Sequence, residues 1–158
     1  MSEAGEPRTF AGRYEFVRQI AAGGMGVVYE VVDLDDGQRR ALKALHHSDI
    51  HNAESVTRLL REARTAASLD SEHVVQIFDT GVAYELGGVP FVVMELLTGE
   101  TVAALLHRRG HLSAVEVVRL LAQVTEPIGK AHRAGLVHRD LKPANLFMHR
   151  EGDQETLK

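Results

Sequence analysis

Up to residue 45 the apolar positions fall in short, strand-length runs, alternating with polar ones in residues 13–20. "RYEFVRQI" (13–20), "VVYEVVD" (27–33) and "RRALKAL" (39–45) read as strands, rich in β-branched and aromatic side chains. "AAGGMG" (21–26) and "DDG" (35–37) lie between them as turns, so the chain opens as a three-stranded antiparallel meander. The period then changes. In "ESVTRLLREARTAASL" (54–69), Val56, Leu59, Leu60, Ala63, Ala66 and Ala67 fall on one helical face. Two more strands are expected at "HVVQIFDTG" (73–81) and "PFVVMEL" (90–96), joined by a loop through Gly87 and Gly88. Five strands and one helix make an α+β unit.

Beyond residue 96 the pattern is helical. "TVAALLHRRG" (101–110) is a short helix stopped by Gly110. Ser113 and Glu116 form a capping box, and Val117, Leu121, Val124, Ile128 and Ala131 continue one stripe to about Ala134. Pro127 is expected to kink this helix, because it lacks an N–H and crowds the preceding turn. "GLVHRDLKPANLF" (135–147) is a loop, and "NLFMHR" with "ETLK" forms a hairpin around "EGDQ". The expected organisation is a polar tail at 1–12, a strand-rich lobe at 13–97 and a helical lobe at 98–158. The boundary rests on the change of period near "LLTGE" (96–100).

Composition narrows the function classes. The 158 residues are 44% hydrophobic and 25% charged, an ordinary globular balance. A net charge of -4 gives no reason to expect nucleic acid or an acidic membrane as partner. There is no cysteine, which excludes disulfides and thiolate metal sites and suits a reducing cytosol. The N-terminus carries acidic residues and no apolar run, unlike a secretory signal. No segment approaches the ~20 apolar residues of a membrane span.

Several residues could carry chemistry. Gly23, Gly24 and Gly26, between two strands, either let backbone amides approach phosphate oxygens or make a plain hairpin turn. They are not a P-loop, since no Lys-Ser or Lys-Thr follows and a strand stands where a helix is needed. Lys43 interrupts an apolar strand and shares a face with Ala41: either an exposed lysine or a cation aimed at an anion. Glu62 borders the apolar stripe of its helix, where it can pair locally with Arg58 or meet a cation from the sheet. In the 135–147 loop, Asp140 can accept a proton from, or orient, a hydroxyl nucleophile, Lys142 offers a positive charge to a phosphoryl group, and Asn145 offers an oxygen to a hard cation. His47 and His51 have a metal-compatible i, i+4 spacing, but no further ligand is evident nearby. His138 suits a structural place in its loop.

These motifs together resemble the first part of a Ser/Thr protein kinase domain of the bacterial type. The resemblance runs from residue 13 to 158. It implies a protein-kinase-like α+β fold, with a five-stranded antiparallel N-lobe, its αC helix, and the beginning of a helical C-lobe. It implies ATP and Mg²⁺ as cofactors, and protein Ser or Thr hydroxyls as phosphoryl acceptors. By that resemblance Ile20, Ala21, Gly23, Gly24, Gly26 and Val28 form the phosphate-covering loop and its flanks, Val28 packing on adenine. Ala41 lies beside Lys43, which holds phosphates and pairs with Glu62. Met94 is the gatekeeper, with the backbone of Glu95 and Leu97 turned to adenine. Asp140 is the catalytic Asp, Lys142 its Ser/Thr-type companion, and Asn145 a Mg²⁺ ligand.

Two departures stand out. Ala21 occupies the usual place of the first loop glycine, from which altered loop flexibility is expected. The sequence also stops where the family's DFG segment is expected, and that Asp is the principal Mg²⁺ ligand. Its loss is expected to cost on the order of a thousandfold in rate, leaving this chain alone poorly active. The helix at 114–134 is expected to present an uncovered stripe to a partner or a second copy. A cytoplasmic location is expected, with any membrane tether belonging to a longer parent. The alternative is a non-catalytic nucleotide-binding scaffold that docks a partner through that helix.

Overall fold

The computed structural model describes residues 9–24 and 26–158. Residues 1–8 of the expected tail, and Met25 of the glycine turn, lie outside the described residues. The chain divides into two compact units. The first runs up to Ala67 and resumes over Gln76–Leu96; the second comprises Ser68–Val75 and Leu97–Lys158.

The first unit is an antiparallel sheet with one helix. Its strands are β1 (Thr9–Phe10), β2 (Tyr14–Gly23), β3 (Gly26–Asp33), β4 (Arg39–Ala44), β5 (Ile77–Ala83) and β6 (Val89–Met94). They lie in the order β1-β2-β3-β4-β6-β5. The five expected strands are present, and Thr9–Phe10 adds a short sixth at the edge. Residues 9–12 are therefore not tail: Phe10 is buried and belongs to the core. Residues 73–76, expected in a strand, stand before the start of β5 at Ile77. The helix α1 (Ala53–Ala67) matches the 3.6-residue stripe, with Leu59 and Ala63 buried.

Alternation of side chains gives the sheet two faces. Tyr14, Val31, Leu42, Ala44, Phe91 and Val93 pack on one. On the other, α1 lays Leu59 and Ala63 against Val92 and Leu45, with Val56 and Ile77 alongside. The strands are also tied by polar contacts that periodicity does not show. Tyr14 Oη donates to Asp79 at 2.6 Å, and burial together with that carboxylate pushes the phenol up. Arg13 makes a two-pronged bond to the buried Asp33 at 2.7 and 2.8 Å. The bond holds the Asp33 carboxyl below its usual range. Glu30, 2% exposed, is flanked by Arg18 at 2.7 Å and Arg39 at 2.5 Å, so a buried acid is compensated from both neighbouring strands.

The second unit is built on two helices and a three-stranded sheet. Helix α2 (Val102–Arg109) begins at Thr101, whose hydroxyl accepts from Ala104 N–H, and stops at Gly110. Helix α3 (Ala114–Arg133) begins with the expected Ser113/Glu116 capping box and continues through Pro127, whose ring is buried. The sheet joins β7 (Gly99–Thr101), β8 (Phe147–Glu151) and β9 (Gln154–Leu157) in that order. The β8–β9 hairpin is the expected one; β7 was not foreseen. Val102, Val124 and Leu157 centre the core, with Leu106, Leu120, Ile128 and Met148 packed on them.

The segment 68–75 is bound into this unit. Lys130 Nζ donates to Asp70 O, Ser71 Oγ donates to Glu126, and His73 Nδ1 lies 2.8 Å from Leu157 O. The α3 stripe divides. Val124 and Ala131 are buried, whereas Leu121 is 55% and Val118 65% exposed, with Val115 and Val117 also open. No helix among the described residues is long and apolar enough to cross a membrane.

Candidate functional site

In the first unit, strand register decides which candidate residues meet. Ala21 pairs with Val28, Val28 with Lys43, and Ala41 with Met94. Directly paired residues share a face, and so do residues two apart. Ala21, Val28, Ala41, Lys43 and Met94 therefore lie on one side of the sheet, the side that carries α1. The pairing skips Ile20, at an irregularity between Gln19 and Ala21, and Ile20 is 41% exposed.

Lys43 Nζ lies 3.2 Å from Glu62 Oε2. Glu62 thus meets a cation from the sheet instead of Arg58 on its own helix. An ammonium carries three donors, so a lysine in one bond keeps donors for a second anion. Met94 ends β6. The next residue, Glu95, donates its backbone N–H to Gln76 O at 2.9 Å and accepts from Gln76 N–H on its carboxylate at 3.3 Å. Its backbone N–H is thus already engaged by Gln76 O.

The three glycines differ. Gly26 has φ +139°, and a Cβ there would collide with Ala44 O and lie 3.2 Å from Leu45 Cα. Its lack of a side chain is required by the close approach of β4. A Cβ at Gly23 or Gly24 would meet nothing within 4 Å, so packing does not demand glycine there. Gly23 O is held by His46 Nε2 at 2.7 Å. The sequence reading missed His46, because a histidine just past a strand carries no periodic signal. His47 lies in a short turn, His47–Asp49, not in an α-helix that would align it with His51. Among the described residues no group of three or more His, Cys, Asp or Glu could hold a metal ion.

In the second unit, Asp140, Lys142 and Asn145 come together. Lys142 Nζ lies 2.9 Å from both Asp140 carboxylate oxygens. Asn145 Nδ2 donates to Asp140 O at 2.8 Å and to Asp140 Oδ2 at 2.9 Å. The bonds from Lys142 and then Asn145 hold the Asp140 carboxyl below its usual range. The same bonds orient the carboxylate, so that it can accept a hydrogen bond from a hydroxyl.

Around these three the loop is fixed locally. Pro143–Asn145 is a single 3₁₀ turn, and Asn145 N–H donates to Lys142 O at 2.9 Å. Arg139 has φ +62°, a conformation rare outside glycine. Next to it, Asp140 N–H donates to His138 Nδ1 at 3.3 Å, which gives His138 its place in the loop. Asn145 uses its amide nitrogen on Asp140, which turns its carbonyl oxygen away. One amide oxygen beside one carboxylate fits a Mg²⁺ ion that arrives with phosphates and keeps waters; it is too few donors for an all-protein cage.

Comparison with known proteins completes the site. The protein kinase domain model matches residues 14–158. The chain is 39% identical over 155 residues to a probable serine/threonine-protein kinase, pknA2, of Bifidobacterium longum, covering 96% of this chain and 20% of that one. It is 39% identical over 142 residues to serine/threonine-protein kinase PknA of Mycobacterium tuberculosis, covering 89% and 33%. The solved PknI kinase domain of M. tuberculosis superposes with a TM-score of 0.77 at 30% identity, over 94% of this chain and 58% of that one. The chain thus spans a fifth to a third of these two curated relatives.

Proposed function

Since the chain belongs to the protein kinase domain family, in its bacterial Ser/Thr branch, we propose that it contributes the nucleotide-binding and catalytic-loop part of an enzyme that transfers the γ-phosphoryl group of ATP to protein Ser or Thr hydroxyls. The observation that carries this reading is the Asp140–Lys142–Asn145 cluster, in which two neighbours orient one ionised carboxylate.

Under this proposal Lys43 binds ATP phosphate oxygens while Glu62 holds its ammonium in place. Ile20, Ala21, Gly23, Gly24, Gly26 and Val28 cover the nucleotide. Ala41 and Met94 shape the adenine side with Val28, and Leu97 meets adenine through its backbone. Asp140 accepts a hydrogen bond from the Ser or Thr hydroxyl and aims its oxygen at the γ-phosphorus. The P–O bond to the leaving ADP breaks as the new one forms, and the hydroxyl proton passes to the Asp140 carboxylate as the transfer completes. Lys142 balances charge on the transferred group. Asn145 would be one ligand of a bound Mg²⁺, which would supply charge neutralisation on the phosphates. A cytosolic location, where ATP is supplied, goes with this reading. Because the chain spans 58% of a solved kinase domain, transfer is proposed for a protein in which the rest of that domain is present.

The test has two parts. ATP binding by the chain itself is measured with and without Lys43→Met. Transfer from γ-labelled ATP is measured with the longest protein that contains the chain. ATP affinity indifferent to Lys43→Met would sink the reading. A second reading, a scaffold that docks a partner, is favoured by the open face of Val115, Val118 and Leu121. It gains if partner capture survives Lys43→Met unchanged.

A further inference from the structure

We propose that His46 is a positioning residue that sets the direction of the Gly23–Gly24 peptide and thereby aims the Gly24 N–H at nucleotide phosphate. The inference rests on the ATP-binding reading above and adds to it a residue outside the kinase motifs.

The imidazole is anchored at its base. Strand β4 ends at Ala44, and Leu45 N–H donates to Pro90 O at 3.2 Å. His46 O accepts from Asp49 N–H at 2.8 Å. His46 precedes the His47–Asp49 turn, where a side chain often caps the turn, yet it makes no such cap bond. Its ring reaches instead to Gly23 O, 2.7 Å from Nε2. A carbonyl oxygen only accepts, so Nε2 carries the proton.

The consequence follows from peptide geometry. The Gly23–Gly24 bond is trans, since no cis bond occurs among the described residues. In a planar trans peptide the C=O of one residue and the N–H of the next point in opposite directions. Holding Gly23 O toward His46 therefore turns Gly24 N–H the other way. Strand pairing with Gly26 holds Gly23 on one side, while no side chain packs on this peptide among the described residues, since a Cβ at either glycine would find open space. Gly26, wedged on Ala44, secures the returning strand. The two anchors restrain Gly23 and Gly26, and glycine has the greatest backbone freedom of any residue type, so less entropy is lost on binding a ligand.

The test is calorimetric titration of the chain with ATP and with adenosine. His46→Phe keeps a ring and removes the donor; His46→Gln keeps a donor. Loss of one hydrogen bond predicts ATP binding about three- to tenfold weaker for His46→Phe, with adenosine unchanged. His46→Gln should restore most of the ATP affinity. ATP affinity unchanged in His46→Phe, or ATP and adenosine falling together, would overturn the proposal. If the wild-type chain binds no ATP, both readings fall; if it binds ATP and loses it with Lys43→Met, only the His46 assignment is at stake. Should His46→Phe fail to fold, long-range ¹H–¹⁵N correlation on the wild-type chain decides. Protonated Nε2 supports the assignment, and protonation of Nδ1 alone overturns it.

Discussion

Gly26 lies so close to Ala44 that the carbonyl of one occupies the place where a side chain of the other would begin. Gly26 also has φ +139°. Gly26→Ala should therefore destabilise the first unit by roughly 2 kcal/mol, from left-handed strain and the clash combined. Gly24→Ala should change stability by less than ~1 kcal/mol, since space is open there. Urea unfolding of the two variants separates the cases. Equal losses would show that packing does not distinguish the two glycines.

Lys43 and Glu62 are joined at 3.2 Å, with side chains 23% and 46% exposed. A pair this open adds at most ~1 kcal/mol to folding. Lys43→Met should thus leave the unfolding midpoint nearly unchanged while ATP affinity drops at least tenfold. A variant that loses stability and affinity together would mean that the lysine is chiefly structural.

Asp140→Asn keeps the volume and removes the charge. In a protein carrying the whole domain, phosphoryl transfer should fall by ~10²- to 10⁴-fold, the usual share of a positioned acid–base or orienting group. ATP affinity should stay within about twofold. Transfer rates indistinguishable from wild type would remove Asp140 from the mechanism.

Glu116 answers to pH. The bond from Arg109, then those from the Ser113 backbone and hydroxyl, bring its carboxyl down to about 2 from 4.5. A depressed pKa gives stability that is present above the unfolded value and lost as protons return. The share from Glu116 should be intact above pH ~4.5 and fade as pH falls toward ~2. Glu116→Gln should flatten that part of the stability profile. Ser113→Ala should cost about 1 kcal/mol at neutral pH, through the lost N-cap.

Much of this architecture was legible because long elements repeat their signal. Strands β2, β3, β4 and β6 are long enough, and rich enough in β-branched, aromatic or apolar residues, to be read directly, and the stripe in α1 placed Leu59 and Ala63 correctly in the core. Thr9–Phe10 and Gly99–Thr101 escaped, because two or three residues have no period. His73–Gln76 read as strand because Val74 and Val75 are β-branched. Tertiary bonds override that preference, since His73 is engaged by Leu157 O. At the site, residue types and spacing pointed to Asp140, Lys142 and Asn145, but only the structure shows that Lys142 and Asn145 are both bonded to Asp140. The link from His46 to Gly23 O spans 23 residues, and nothing local announces it.

The course of the chain between its two units has a practical consequence. The backbone passes from one to the other at 67–68, at 75–76 and again at 96–97. A protease nick at the last junction would sever one covalent thread and leave two. A recombinant piece starting at residue 97 would lack the strap that brings Asp70, Ser71 and His73 to Lys130, Glu126 and Leu157. Dissection of this protein at its apparent midpoint should therefore yield a C-terminal piece that is less protected from proteolysis than the same residues in the intact chain.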